Sequence, residues 1–246
     1  MMLLFDLGNS RAKWATWSAD RYAQTGSVDP CCPGWELQLQ QQLHGIATPE
    51  RILVASVGDS RILAAVLDMT SSRWGQEPIQ LQPQALQCGV RSAYAEPAQM
   101  GVDRWLAMLA AWNRFQRPVC VFDIGTAVTA DVVAADGRHL GGLIAPGIAL
   151  SQSMLQTNTA GIRQVNPEAD VTLGQSTGAC VANGCLLGVV GTLRMALELM
   201  ERECGPGGAA VATGGDALRV LPFLPDSCAH IPNLVFDGML LAARDN

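Results

Sequence analysis

The sequence predicts an α/β protein built from two related halves. Its 246 residues are 49% hydrophobic and 15% charged, which allows a large buried core and excludes disorder as the main state. Strand-like and helix-like segments are mixed along the chain, which favours an α/β class. Residues 4–10, LFDLGNS, are echoed at 121–127, VFDIGTA, so an apolar strand, an Asp and a Gly turn occur twice.

Each copy of this repeat is followed by a second strand-like run, at 12–17 and 128–133, so each half is predicted to begin with a β-hairpin. Apolar periodicity in the first half predicts a strand at 52–57 and helices at 61–69 and 102–115. A Gln-rich surface helix at 37–43 and a connecting strand or loop at 76–87 carry no evident chemistry.

Pro118 separates the helix at 102–115 from the strand at 119–124, which predicts halves at 1–117 and 118–246. The second half continues with predicted elements in this order: a strand at 140–144, a turn at Pro146 and Gly147, a helix at 148–156, a long helix at 176–203, a strand at 209–212 and a helix at 232–243. In the long helix, Gly184, Gly188 and Gly191 each destabilise the helix by about 1 kcal/mol. Close approach of another backbone is the structural reason expected for tolerating this cost.

Composition excludes several classes of partner. The net charge of −6 is a poor match to a polyanion, so no nucleic acid is expected as a partner. Eight Cys and three His show no zinc-ligand spacing. The first apolar run is too short for an export signal, which predicts a cytoplasmic protein. Residues 173–193 are uncharged but contain five glycines, so a buried helix is expected and no membrane partner.

The repeated turns suggest phosphate chemistry. An Asp at a strand end can hold a hydrated metal ion, while backbone N–H groups of the Gly turn donate to phosphate oxygens. Two such turns could hold the two ends of a triphosphate. Lys13, the only Lys in the chain, follows the first turn and offers a compact positive charge. Taken singly, either turn could instead be an ordinary hairpin that contains an Asp.

Residues 101–104, GVDR, place an Asp and an Arg at a predicted helix start. The positive end of the helix keeps the Asp103 carboxylate ionised, so that it can accept a proton from an alcohol. The Arg104 guanidinium can bind a substrate carboxylate. A helix cap with a surface ion pair is the alternative interpretation.

The ordered set of motifs resembles the type III pantothenate kinases of the acetate kinase, sugar kinase, Hsp70 and actin superfamily. Residues 6–13, DLGNSRAK, are similar to the family's first phosphate motif when aligned on Asp6, Gly8, Asn9 and Lys13, with Ser10 keeping the hydroxyl of a Thr. GVDR matches the family's Gly-x-Asp-Arg signature, with Tyr94 upstream. Further matches follow in order: 123–131, 141–147, Ser176 and Thr177, 213–215, and 233–238.

The resemblance implies two RNase-H-like halves of the actin-like ATPase kind, with mixed sheets facing a central cleft. It implies transfer of the γ-phosphoryl group of ATP to the primary hydroxyl of pantothenate, the first step toward coenzyme A. Asp103 would be the catalytic base. Pantothenate would contact Tyr94, Gly101, Val102, Arg104 and Thr177. ATP would contact Asp6, Gly8, Asn9, Ser10, Lys13, Thr126, Gly214 and Gly215.

The resemblance also implies cofactors and a partner. Asp6 would lie on the Mg²⁺ side of the phosphates, directly or through water, and Asp123 would ligate a monovalent cation, K⁺ or NH₄⁺. The family's site is completed across a homodimer, for which the helix from Ser176 is the candidate interface.

Two alternatives remain open at the level of sequence. A kinase or phosphohydrolase of the same fold could act on another small molecule. A non-catalytic accessory or regulatory protein is the second alternative, since related sequences have been labelled accessory factors for transcription. That second class would be expected to lack part of the catalytic set, whereas all six of its residues are present here: Asp6, Lys13, Asp103, Arg104, Asp123 and Thr126.

Overall fold

A computed structural model describes residues 1–162 and 170–245. Packing divides the chain into two compact units, each composed of separate stretches of sequence. The first contains residues 1–88, 94–110 and the chain from 235 onward. The second contains residues 89–93 and 111–234.

The first unit contains a five-stranded mixed sheet. Its elements are β1 (Met2–Leu7), β2 (Ala12–Ser18), β3 (Arg21–Val28), α1 (Trp35–Gln42), β4 (Arg51–Ser56), α2 (Ser60–Trp74), β5 (Ile79–Gln80) and β6 (Leu86–Gln87). The strand order is β3-β2-β1-β4-β5, with β1 antiparallel to β2 and parallel to β4. The sheet therefore places the carboxyl ends of β1 and β4 side by side.

The second unit repeats this topology. The α-helices and strands that follow along the chain are β7 (Val90–Arg91), α3 (Val102–Phe115), β8 (Val119–Ile124), β9 (Ala127–Val133), β10 (His139–Pro146), α4 (Ile148–Asn158), α5 (Thr177–Cys204), β11 (Ala209–Thr213), α6 (Ala217–Val220), β12 (Cys228–His230) and α7 (Leu234–Asp245). Most of α3 and of α7 belongs to the first unit. The second sheet has the order β10-β9-β8-β11-β12, with β8 antiparallel to β9 and parallel to β11. The predicted duplication and the α/β class with mixed sheets are confirmed.

Each sheet buries apolar side chains against helices of its own unit. In the first unit, Phe5 and Val54 share a core cluster with Ile62 and Val66 of α2. In the second, Phe122 and other strand residues share a cluster with the buried face of α5, including Leu186 and Leu193. Because full burial of one such side chain contributes about 1.5–3 kcal/mol, these clusters fix the strands whose ends carry the candidate site.

Helix α5 is the one described helix that is long and apolar enough to cross a membrane. Half of its most apolar 18-residue stretch is buried inside the protein. A core helix passes the same test of length and composition. Its buried residues pack in the core of the second unit, as expected from the sequence.

The C-terminal helix α7 belongs almost entirely to the first unit. The Tyr22 hydroxyl donates to Asp237 Oδ1 at 2.5 Å, and Arg51 Nη1 donates to the Ala243 carbonyl at 3.2 Å. Burial, together with this carboxylate, raises the pKa of Tyr22. The boundaries of the compact units differ from those of the sequence halves 1–117 and 118–246, which stay a prediction about the duplication along the chain.

The structure contains elements that the sequence does not predict, namely β3, β7, α6 and β12, and it also differs at one predicted turn. Strand β3 was not predicted, because it is an edge strand whose only buried residue is Val28 and its sequence lacks an apolar pattern. The predicted turn at Pro146 and Gly147 is a direct step from strand to helix: Pro146 ends β10, and Gly147 is the N-cap of α4.

Candidate active site

The first glycine turn, residues 8–11, connects β1 to β2. The Gly8 N–H donates to the Arg11 carbonyl at 2.9 Å and closes a turn that contains Asn9 and Ser10. Asp6 and Lys13 are direct partners across the two strands, and Lys13 Nζ lies 3.8 Å from Asp6 Oδ2. The Asp6 side chain is 12% exposed and that of Lys13 36%, so the ammonium is the more accessible member of the pair.

The residues after β4 support this turn. The N–H groups of Val57 and Gly58 both donate to the Leu7 carbonyl, at 3.0 and 3.1 Å. The Gly8 carbonyl oxygen lies only 2.8 Å from the position that a Cβ on Gly58 would take. Gly58 therefore permits the close approach of the two backbones. No local pattern in the sequence indicates this role, because Gly58 and Gly8 are distant along the chain.

Asp103 lies in the first turn of α3, as predicted, and its Oδ1 accepts a hydrogen bond from the Arg104 N–H at 2.8 Å. The same Oδ1 lies 2.6 Å from the Cβ position of Gly101, and this position lies 3.5 Å from Val57 Cγ1. Val57 connects directly to Gly58 and hence to the first glycine turn. The structure thus brings Asp103, Gly101 and that turn to the edge where β1 and β4 end.

Arg104 and Tyr94 also meet in the first unit. Arg104 is only 7% exposed, and its Nη1 donates to the Tyr94 hydroxyl at 3.2 Å. The neighbouring Val102 is buried and anchors the start of α3. A guanidinium and a phenol held together beside a helix start form a polar site suited to an organic carboxylate.

The second glycine turn, residues 125–127, connects β8 to β9 in the second unit. The Gly125 N–H donates to the Ala127 carbonyl at 3.0 Å. The Gly147 N–H donates to the Thr126 carbonyl at 2.9 Å, so the start of α4 holds this turn in place. A Cβ on Gly147 would overlap the Gly125 carbonyl oxygen and would lie 2.8 Å from that of Thr126. Only Gly fits at position 147, a constraint that the sequence motif alone did not show.

Asp123 and Gly214 meet where β8 and β11 end. Asp123 is paired with Thr213 across these parallel strands. Gly214 has φ +97°, and its Cβ position lies 2.5 Å from Asp123 Oδ1 and against the Ile124 carbonyl oxygen. Gly215 follows, and no described atom lies within 4 Å of the position that a Cβ there would take. Gly214, one of the two glycines predicted for ATP, therefore lies beside the carboxylate predicted for a cation, and Gly215 follows it in the chain.

The donor sets determine which metal ions would fit. Among residues 1–162 and 170–245, no three His, Cys, Asp or Glu side chains cluster closely enough to hold a metal ion. Asp6 offers one carboxylate, which suits Mg²⁺ because this ion keeps most of its water and is carried mainly by phosphates. Asp123 Oδ1 and the Ile124 carbonyl both border Gly214 and offer oxygen ligands to a larger, weakly held cation.

Thr177 is the first residue of α5, directly after the N-cap Ser176, whose Oγ accepts from the Ala179 N–H at 3.2 Å. It is exposed and lines a groove of about 610 Å³ between α4 and α5 of the second unit, together with Ser151, Leu155 and Cys180. The other predicted pantothenate contacts, Tyr94, Gly101, Val102 and Arg104, belong to the first unit.

Comparison with known proteins identifies the relatives of this chain. The family described as "Type III pantothenate kinase" matches residues 2–198. A type III pantothenate kinase from Nitrosococcus oceani is 35% identical to the chain, with 100% of this chain and 94% of the relative covered.

Solved structures show the same fold at lower identity. A protein of Campylobacter jejuni named for the Baf family of transcriptional activators superposes with a TM-score of 0.62 at 22% identity, covering 99% of this chain and 98% of its own. A protein of Sinorhizobium meliloti named as a 2-dehydro-3-deoxygalactonokinase has a TM-score of 0.57 at 14% identity, covering 99% and 98%. At these identities the two likenesses show that the chain shares the fold of these proteins.

Proposed function

The chain belongs to the type III pantothenate kinase family, and from this membership we infer that it transfers the γ-phosphoryl group of ATP to pantothenate in coenzyme A biosynthesis. One observation supports assigning this reaction to particular residues: the candidate catalytic and substrate-binding side chains lie together at one edge of the first sheet. There, Asp103 and the Tyr94–Arg104 pair accompany the first glycine turn.

Asp103 is assigned the role of catalytic base. The primary hydroxyl of pantothenate must lose its proton as its oxygen attacks the γ-phosphorus, and a carboxylate at the start of a helix is well suited to accept it. Its Oδ1 is held by the Arg104 N–H, which fixes the direction of the carboxylate. We assign Arg104 and Tyr94, with Gly101 and Val102, to the carboxylate end of pantothenate, and Thr177 to a further contact.

The glycine turns are assigned to ATP. Phosphoryl transfer depends mainly on positioning and charge neutralisation. Lys13 supplies a positive charge beside the first turn. There, Asn9 and Ser10 offer N–H and hydroxyl donors, while the Gly8 N–H closes the turn that presents them. At the second turn, Thr126 offers an N–H and a hydroxyl donor to the phosphates. Gly214 and Gly215 are assigned to the adenosine side of ATP. Mg²⁺ bound to the phosphates on the side of Asp6 would offset their negative charge.

We assign Asp123 to a monovalent cation, which predicts salt-dependent turnover. Replacing Na⁺ with K⁺ or NH₄⁺ at equal ionic strength is expected to raise kcat, because one carboxylate and nearby carbonyls suit a large, weakly hydrated cation. The measurement is steady-state turnover in the three chloride salts. Asp123→Asn serves as the matched variant and is expected to remove the difference. Equal turnover of the unmodified protein in all three salts would count against Asp123 as a ligand.

The outer face of α5 and the adjacent α4 and β10 is assigned to a homodimer. Gly184, Gly188 and Gly191 are exposed on α5, with no described atom within 4 Å of their Cβ positions, so the neighbour expected for these glycines is not supplied by the described part of this chain. Large apolar side chains are exposed on the same three elements, including Ile144 at 66% and Met154 and Met195 at 51% exposure. Exposed apolar patches of this kind are typical of protein interfaces. A second copy offers the same small-residue face in a symmetric contact.

The dimer assignment predicts that Gly188→Arg yields a monomer. A long charged side chain in the middle of the face would prevent close approach of the second copy and would be costly to bury. Light scattering after size exclusion should change from twice the chain mass of 26.1 kDa to that mass. Ser72→Arg, on the exposed surface of α2 in the first unit, is the matched control and should stay dimeric. A dimeric Gly188→Arg protein would contradict this interface.

We assign the protein to the cytoplasm. The half-buried helix α5 is then explained by its core face and the proposed dimer face. Neither a membrane nor a nucleic acid has a role in this proposal.

The experiment that tests the proposed function is ADP release measured with a panel of acceptors. We expect ATP consumption to depend on pantothenate and not on a sugar or acetate. Release that requires another acceptor would favour a different kinase of the same fold. Release that needs no acceptor would favour a phosphohydrolase, and no release under any condition would favour an accessory protein.

A further inference from the structure

Asp131 closes the second phosphate motif, yet it has no place in the phosphate chemistry described above. It lies in β9, its side chain is only 2% exposed, and its Oδ1 lies 3.0 Å from Nε2 of His139 at the start of β10. The His139 side chain is completely buried. A carboxylate and an imidazole buried together in a sheet must have their polar atoms satisfied, and the identity of their partners indicates their role.

A third group fixes the protonation of the imidazole. The Ala93 N–H donates to His139 Nδ1 at 3.5 Å. Since a backbone N–H can only donate, Nδ1 carries no proton, and the Nε2–H donates to Asp131. The Cys120 thiol lies near the Asp131 carboxylate. Burial, and secondly this carboxylate, raise the pKa of the thiol, so Cys120 stays uncharged beside Asp131. The order of donors and acceptors is therefore Ala93 N–H to His139, and His139 to Asp131.

Ala93 belongs to a short segment that is attached to the connection between β9 and β10. The Arg91 N–H donates to the Gly137 carbonyl at 2.9 Å, and Ala93 is the next residue but one. The following residue is Tyr94, whose hydroxyl accepts from Arg104. The backbone from which Tyr94 extends is thus held immediately before it by the imidazole of His139.

We propose that His139 is a positioning residue for the pantothenate site. By accepting the Ala93 N–H, it fixes the backbone that presents Tyr94 to the substrate. Asp131 holds the ring in the tautomer that can accept this bond. The inference rests on the proposed function, because Tyr94 is assigned there as a pantothenate contact.

Two substitutions of His139 separate its two hydrogen bonds. The side-chain amide of Asn reaches the position of Nδ1, so His139→Asn can keep an acceptor for Ala93 while losing the donor to Asp131. The longer Gln reaches the position of Nε2, so His139→Gln can keep the donor to Asp131 while losing the acceptor for Ala93.

We expect His139→Gln to raise the KM for pantothenate by about three- to tenfold, the range that corresponds to the loss of one hydrogen bond. The kcat and the KM for ATP should stay unchanged. His139→Asn should keep the KM for pantothenate and lower the melting temperature instead. Thr16→Val is the matched control, because it removes a buried hydroxyl that accepts from the Gln24 N–H in the first unit. It should lower the melting temperature and leave every KM unchanged.

Tyr94→Phe distinguishes failure of this inference from failure of the proposed function. If His139 acts through Tyr94, then His139→Gln should add little to the effect of Tyr94→Phe in the double variant. A raised pantothenate KM in Tyr94→Phe together with an unchanged one in His139→Gln would overturn the positioning role alone. Equal rises in the KM values for ATP and pantothenate in His139→Gln would also overturn it. An unchanged pantothenate KM in Tyr94→Phe would overturn the substrate contact and the inference with it.

Discussion

Asp103→Asn is expected to lower kcat by about 10²–10⁴-fold, the usual contribution of a positioned general base. The amide keeps the shape of the side chain and an oxygen that can accept the Arg104 N–H, but it cannot take the proton of the pantothenate hydroxyl. The KM values for ATP and pantothenate should change little, because the contacts assigned to binding remain. Steady-state kinetics with both substrates saturating measures the effect.

A control substitution at another helix start tests whether the loss of kcat is specific to Asp103. Asp59→Asn also changes an acidic side chain at a helix start, since Asp59 caps α2 and accepts from the Arg61 N–H at 2.8 Å. This variant should keep its kcat. Near-normal turnover of Asp103→Asn would refute the role of Asp103 as base, and equal losses in both variants would indicate that the damage is structural.

Gly147→Ala is expected to disable the second glycine turn. The new Cβ would overlap the Gly125 carbonyl oxygen and crowd that of Thr126, so the start of α4 or the turn must move. Overpacking of this kind costs about 1–3 kcal/mol of the free energy of unfolding. Because the turn is assigned to the phosphates of ATP, the KM for ATP should rise by about tenfold or more, which corresponds to at least ~1.4 kcal/mol of lost binding.

Denaturant unfolding and the KM for ATP measure the two effects of Gly147→Ala separately. Gly161→Ala is the matched control, because no described atom lies within 4 Å of its Cβ position and Gly161 has no assigned role. It should change neither quantity. An unchanged KM for ATP in Gly147→Ala would contradict the role of the second glycine turn.

Local sequence patterns predicted the elements that carry the chemistry. The apolar runs that end in Asp6 and Asp123 have the signal of buried strands, and α3 begins at Val102 as the GVDR motif and apolar spacing predicted. The repeat predicted two related halves, and the structure has two sheets with equivalent strand orders. These features depend on residues close together in sequence.

Features that depend on distant contacts were not predicted. Gly58 and Gly147 support the two glycine turns through backbone contacts that no local pattern reveals. Strand β3 is held by its pairing with β2 and not by an apolar pattern. Helix α7 packs in the first unit through Tyr22 and Arg51, so the compact units differ from the halves defined by the duplication. The Asp131–His139 pair was also visible only in three dimensions.

The most direct test of the proposed reaction is phosphorus NMR of ATP mixed with pantothenate and the protein in a potassium buffer. We predict that the γ-phosphorus signal of ATP is replaced by that of a phosphomonoester whose phosphorus couples to the methylene of the former primary alcohol, in equal amount to the ADP formed. Appearance of inorganic phosphate at the same rate with and without pantothenate, and of no phosphomonoester, would contradict the assignment.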